Sequence, residues 1–258
     1  MVNVRYTFFE GPFPPERWER LLGKLPESMR EEILRYRRWE DRHARLLSRL
    51  LLLDGLVEAG EARDCLERVR KDSLGRPFLP GGPDFNLSHS GNWVACAVSR
   101  RGKVGIDVEA LRPLDLEDFR RIMTIEEWEA VTRSPDPPRA FYAYWTIKES
   151  VSKADGRGLS LPLQRIAIRG DRALVDGTEY LVTPLALCDQ VACHLAVCRS
   201  DHANPLVIRH LCWSDHDGHE GRSPGAPCGC DVPPGIRCAG GSDPKSPDPP
   251  PGEAFPAP

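Results

Sequence analysis

No apolar run in this 258-residue chain approaches the length needed to span a membrane; the leucine stretch 50–53 is short and lies among charges. The amino terminus lacks the order of basic, apolar and small residues that marks a secretory signal, so a cytoplasmic location and no membrane partner are expected. There is no excess of positive charge either. A formal net charge of -3 argues against a general nucleic-acid binder. The nine cysteines lack the Cys-x-x-Cys arms of a structural zinc site. Cys65, Cys96, Cys188, Cys193 and Cys198 fall in apolar or helical stretches and read as reduced, buried thiols. Beyond residue 200 apolar periodicity is nearly absent while twelve of the 25 prolines accumulate, so 201–258 is expected to be a disordered tail.

What the chain does contain is two acidic patches far apart in sequence. In Gly105-Ile-Asp-Val-Glu109 apolar and acidic residues alternate, so a strand would carry Asp107 and Glu109 on one face and Ile106 and Val108 on the other. Two adjacent carboxylates repel unless something positive sits between them. The second patch, Trp145-Thr-Ile-Lys-Glu-Ser150, lies in a helical pattern from about Arg139 to Ala154. There Glu149 falls four residues after Trp145 and four before Lys153, on one side of the helix. An oxygen set of Asp107, Glu109 and Glu149 suits magnesium, whose shell is completed by water and phosphate oxygens. Lys148 and Lys153 would supply point charges to a polyphosphate, and His89 a second phosphate contact. Seven arginines lie between Arg30 and Arg49, Arg42 and Arg45 among them, and read equally as a solvated helix face or a phosphate-binding surface. Each signal also has a plain alternative: a surface carboxylate, a solvated Lys148–Glu149 pair, a core tryptophan at 145, a turn brace at His89.

Along the chain, a strand at Val4–Phe9 precedes helices at about 15–22 and 27–56, the second broken near Trp39. Gly75-Arg-Pro77 is a turn; 84–90 leads to a tight turn at Gly91-Asn92; strands follow at 93–98 and 103–109. Helical 115–131 and the Glu149 helix come next, then strands at 166–168, 180–183 and 191–197. Helices followed by strands appear twice, which predicts an α+β chain of two packed halves, 1–104 and 105–200, rather than a doubly wound parallel sheet.

Three of these segments, in this order, resemble a known family. Phe85-Asn-Leu-Ser-His-Ser-Gly91, Gly105-Ile-Asp-Val-Glu109 and Trp145-Thr-Ile-Lys-Glu-Ser150, with Lys153, Gly158-Leu-Ser-Leu-Pro-Leu163 and Gly75-Arg-Pro77, are similar to the Sfp-type 4'-phosphopantetheinyl transferases over roughly residues 1–200. The resemblance implies two similar α+β halves in one chain, a pseudo-dimer acting as a monomer. It implies magnesium-dependent transfer of 4'-phosphopantetheine from coenzyme A to a serine of an acyl, polyketide or peptidyl carrier protein, releasing adenosine 3',5'-bisphosphate. Asp107, Glu109 and Glu149 would ligate magnesium, Lys153 would contact the pyrophosphate, and Ser88 and His89 the coenzyme phosphates. Arg76 would lie beside the adenosine, either Arg42 or Arg45 would meet a phosphate, and Glu149 is the candidate base for the serine proton. A noncatalytic coenzyme A or carrier-binding module and a magnesium-dependent pyrophosphate hydrolase are the alternatives. Ile122 and Met123 depart from the paired aromatics the family carries before the acidic helix, which bears on carrier recognition.

Overall fold

In the computed structural model, which describes residues 1–198 and 206–211, strands with a two-residue apolar period alternate with amphipathic helices. The first half holds β1 (Val2–Phe8), α1 (Pro15–Leu22), α2 (Glu27–Leu34), α3 (Trp39–Glu58), the short hairpin β2 (Arg70–Lys71) and β3 (Pro77–Phe78), then β4 (Asp84–Ser90) and β5 (Trp93–Ser99). The second half holds β6 (Val104–Ala110), α4 (Ile125–Thr132), α5 (Pro137–Asp155), β7 (Ala167–Arg169), β8 (Arg172–Val175), β9 (Thr178–Pro184) and β10 (Val191–Cys198). A final strand, β11 (Leu206–His210), runs parallel to β1. That strand corrects the expectation of a disordered tail from 201 onward: Leu206, Val207 and Ile208 satisfy the open edge of β1, a gain invisible in a five-residue segment read alone. The remainder of the expected tail lies outside the described residues.

Two main sheets result, ordered β11-β1-β5-β4 and β6-β10-β9-β8-β7. The two-residue period sorts their side chains into layers. On β5, Val94, Cys96 and Val98 pack under α3 with Leu47, Leu51 and Phe85, while Trp93, Ala95 and Ala97 face the other way. That other face meets Val104, Ile106 and Val108 of β6 together with Leu185, Val191, Cys193 and Leu195, so one apolar layer joins the two sheets. A third layer sets Val151 and Ala154 of α5 against Ile166, Ala173, Val175 and Val182. The chain is therefore α+β, a long helix lying on each of two sheets, one antiparallel and the other antiparallel apart from the parallel β11–β1 pair.

Two local devices place α5. Asp136 caps its first turn by accepting from the Arg139 amide (3.1 Å), Pro137 begins it, and Gly156, at φ 93°, ends it in the left-handed conformation that glycine adopts without strain. Against β6, Gly105 lets the helix backbone come close: a Cβ there would stand 2.0 Å from the Ser150 carbonyl oxygen and 2.5 Å from the Ala154 nitrogen. The helix face carrying Glu149 and Lys153 is thereby brought down onto the strand carrying Asp107 and Glu109.

The two sheets are also stitched edge to edge. β6 pairs through its main chain with β10, His194 opposite Asp107 and Ala192 opposite Glu109. On its other side β6 meets β4 through side chains: the amides of Val104, Ile106, Val108 and Ala110 donate to Asp84 Oδ2 (2.8 Å), Asn86 Oδ1 (3.0 Å), Ser88 Oγ (3.3 Å) and Ser90 Oγ (3.2 Å). Each rung spans 20 residues, so the two strands run in the same direction. Buried amides that would otherwise lose a hydrogen bond are satisfied by alternate polar residues of β4.

Candidate active site

Asp107 and Glu109 project from β6 toward α5, as the alternation requires. Asp107 is 3% exposed. Its Oδ1 accepts from Lys153 Nζ (2.5 Å) and Ser88 Oγ (2.9 Å), while its Oδ2 is buried with no hydrogen-bond partner among the described residues. Lys153 Nζ also donates to Ser88 Oγ (3.1 Å) and the Ile106 carbonyl (3.2 Å). Glu109 is half-buried; Ser90 donates to its Oε2 (2.6 Å) and Trp145 Nε1 to its Oε1 (3.3 Å).

The electrostatics follow from this crowding. Burial raises the pKa of Asp107 above the ordinary carboxylate value even though Lys153 opposes it. Burial raises Glu109 too, with the charge of Asp107 adding to the effect. Glu149, half-buried on α5, is raised by burial and then by the charges of Asp107 and Glu109, so all three acids share one field. Glu149 reaches that field because residues four apart on a helix stack on one face, between Trp145 and Lys153.

Comparison with known proteins decides the family. Residues 12–101 match the family described as 4'-phosphopantetheinyl transferase, N-terminal, and residues 103–203 the 4'-phosphopantetheinyl transferase superfamily. The chain is 32% identical over 172 residues to the 4'-phosphopantetheinyl transferase Sfp of Bacillus subtilis (strain 168), covering 65% of this chain and 76% of that protein. It is 31% identical over 214 residues to the L-aminoadipate-semialdehyde dehydrogenase-phosphopantetheinyl transferase of Xenopus laevis, covering 74% of this chain and 70% of that one. Over 108 residues it is 41% identical to the 4'-phosphopantetheinyl transferase HetI of Nostoc sp. (strain PCC 7120), covering 40% of this chain and 46% of that one.

The chain belongs to the 4'-phosphopantetheinyl transferase superfamily. It is an enzyme of phosphopantetheine transfer, a chemistry that in this family depends on magnesium and coenzyme A. Among the described residues of this transferase no helix is long and apolar enough to cross a membrane.

The residues expected at the site do not all meet there. Lys148 does not: it is fully buried, paired with Glu127 (2.9 Å), and donates to the carbonyls of Leu163 (2.8 Å) and Ile166 (3.3 Å). One residue before Glu149 is about 100° around the helix, which turns Lys148 toward α4 and the 163–166 turn and away from any substrate. Its partner Glu127 also closes the capping box with Thr124 that starts α4. Ser88 differs as well. Instead of reaching toward a coenzyme phosphate, its hydroxyl is turned inward onto Asp107 and Lys153. Arg76 is a junction residue, donating to Asp84 (2.8 Å) and to the Val104 carbonyl (3.0 Å) from a nearly buried position.

His89 lines a cavity of about 330 Å³ with Arg38, Asp41, Ser90, Gly91 and Arg112. Partial desolvation, then the positive charges of Arg45 and Lys153, hold its pKa below the ordinary imidazole value. Of the two arginines expected to meet a phosphate, Arg42 donates to the Tyr36 carbonyl (2.6 Å) and Arg45 lies over the Tyr36 ring, 5.1 Å from its centroid. Neither lines the cavity. Its lining guanidiniums belong to Arg38 and Arg112, and Arg112 carried no motif that would have singled it out.

The fit of magnesium can be judged from the donors. They are oxygens only, and Asp107 Oδ2 is a buried acceptor lacking any partner, as a hard-cation site would leave it. Among the described residues no three His, Cys, Asp or Glu side chains are gathered closely enough to hold a metal ion by themselves, so the three acids expected to share magnesium with water and phosphate do not form a closed site of their own. Lys153 and Ser88 take up Asp107 Oδ1, whereas each oxygen of Glu109 accepts a single neutral donor, from Ser90 or Trp145, and keeps a second lone pair. The residues therefore fit the ion by chemistry, with Asp107 Oδ2 and the oxygens of Glu109 able to accept it.

Proposed function

We propose that this transferase moves 4'-phosphopantetheine from coenzyme A to a serine hydroxyl of an acyl, polyketide or peptidyl carrier protein, with Asp107, Glu109 and Glu149 holding magnesium. The partnerless Asp107 Oδ2 beside Lys153 is the observation that supports this reading most directly. Magnesium held by these acids would neutralise the diphosphate and favour departure of the leaving group.

The chain's own groups supply the rest. Lys153 sets a positive charge beside Asp107 that would attract a diphosphate oxygen; its three N–H groups already go to Asp107, Ser88 and the Ile106 carbonyl, so what it offers the substrate is charge. His89, neutral near pH 7, offers one donor and one acceptor at the cavity lined by Arg38 and Arg112, which would take a coenzyme phosphate. Glu149, half-buried between Trp145 and Lys153 on α5, is the carboxylate proposed to take the serine proton, directly or through a water. In the step itself the serine Oγ bonds to the β-phosphorus, the phosphoanhydride bond breaks, and adenosine 3',5'-bisphosphate leaves. The serine proton passes to Glu149, and no covalent enzyme intermediate forms.

Incubation with coenzyme A, magnesium and a panel of apo carrier proteins, read by intact mass, tests the proposal. A gain of one phosphopantetheine on the carrier serine is expected. No gain on any carrier with folded protein would overturn it. Replacing Glu149 by Gln is expected to lower kcat at least a hundredfold at saturating magnesium, the lower end of what a positioned base contributes; an unchanged kcat would remove Glu149 from the mechanism.

A further inference from the structure

Ser88 and Ser90, on one face of β4, make the same pair of contacts two residues apart. Each hydroxyl oxygen accepts the amide of the residue that follows an acid: Val108 after Asp107, Ala110 after Glu109. Each hydroxyl also lies on that acid, at 2.9 Å from Asp107 Oδ1 and 2.6 Å from Glu109 Oε2. A serine has a single proton, and with its oxygen accepting the amide that proton is left for the carboxylate. The direction of both hydroxyls is thus set by the backbone of β6.

The third contact separates them. Ser88 and Asp107 share the Lys153 ammonium, which partly neutralises that acid. Among the described residues Glu109 is bonded only by neutral donors, the Ser90 hydroxyl on one oxygen and the Trp145 indole on the other. Neutral donors orient a carboxylate and leave its charge available to a cation. Ser90 reaches Glu109 from the first half of the chain and Trp145 from α5 of the second, so the acid is aimed only when both halves are in place.

We propose that Ser90 is a positioning residue for the metal site, a hydroxyl clamp that aims Glu109 at the cation, with Trp145 as its opposite arm. This rests on the reading of Glu109 as a magnesium ligand. Removing the clamp leaves the ligand present and misdirected, and loss of such an outer partner weakens metal binding roughly 10–100-fold.

The test is Mn²⁺ binding to the full chain, followed by electron paramagnetic resonance with magnesium as competitor, beside the magnesium dependence of transfer. Ser90→Ala is expected to raise the Mn²⁺ Kd roughly tenfold and the magnesium requirement with it, while KM for the carrier stays put. Ser90→Thr, which keeps the hydroxyl, is expected to restore the affinity. Trp145→Phe, which keeps the ring and removes the N–H, is expected to weaken Mn²⁺ in the same direction, and it carries the test if Ser90→Ala does not fold. Asn86→Ala breaks a neighbouring rung that touches no acid, so it is expected to lower Tm without moving the Mn²⁺ Kd. If Glu109→Gln weakens Mn²⁺ and neither Ser90→Ala nor Trp145→Phe does, the clamp is overturned and the ligand reading stands. If Glu109→Gln itself leaves Mn²⁺ binding unchanged, the ligand reading falls and the clamp with it.

Discussion

β6 has two edges, and they are held in different ways. Toward β10 the strand is paired by main-chain hydrogen bonds, which any residue but proline can make. Toward β4 its amides are taken by the side chains of Asp84, Asn86, Ser88 and Ser90. The first edge is indifferent to sequence and holds a sheet together; the second exists only because one face of β4 is polar at every position. At that second edge stand Asp107 and Glu109, the acids proposed to hold magnesium. A hydroxyl standing between two strands can serve an amide and a carboxylate at once, which a main-chain ladder cannot do, since its own groups are spent on each other.

The contrast can be broken at several points. The greatest loss is expected from Gly105→Val, which forces a side chain into the backbone of α5 where a first carbon already meets the Ser150 carbonyl; no folded protein should be recovered, as judged by circular dichroism of the soluble fraction. Next comes Asp84→Ala on the side-chain edge. It strands the nearly buried Arg76 guanidinium and the Val104 amide together, and unfolding in urea should show a loss of about 3–5 kcal/mol.

On the main-chain edge, His194 supplies a pH test. Burial lowers its pKa to about 4, and its Nδ1 lies 2.7 Å from Thr146 Oγ1 on α5. Above the ordinary value of 6.5 the ring is neutral folded and unfolded, so it contributes no pH dependence. Between 6.5 and about 4 the unfolded chain binds the proton and the folded chain does not, so stability falls as pH falls, by on the order of 3 kcal/mol across that window. His194→Gln should flatten that slope in denaturant titrations run from pH 7 to 4; an unchanged slope would place the titration elsewhere. The smallest effect is expected from Asn86→Ala, which leaves the buried Ile106 amide without its acceptor at a cost of about 2 kcal/mol, read as a fall in Tm.

Much of this architecture was legible in the residues. The alternation in 104–110 assigns Asp107 and Glu109 to one face, and the spacing of Trp145, Glu149 and Lys153 assigns them to one side of a helix; the structure has both. The break near Trp39 separates α2 from α3, while the helix expected over 115–131 is divided into a short 3-10 turn at 116–122 and the capped helix α4. The side-chain edge was harder to see. The pattern Asp84-x-Asn86-x-Ser88-x-Ser90 has a two-residue period, yet a strand polar on one face ordinarily turns that face to water, and nothing local tells it from one that faces another strand's amides. Lys148 was misread because adjacency to Glu149 along the chain is not adjacency on a helix.

By itself, the sequence determined which side chains share a face, where helices start and stop, and that Asp107, Glu109 and Glu149 make an oxygen-only set if they meet. Periodicity and capping are local, and they survive being read without a fold. The tertiary structure alone decided which faces meet. It put Ser90 and Trp145, from different halves, on the two oxygens of Glu109, left Asp107 Oδ2 without a partner, and spent Lys148 on Glu127. Those outcomes depend on the close approach that Gly105 permits between β6 and α5 and on the direction in which β4 runs beside β6, distances and orientations that no local pattern encodes.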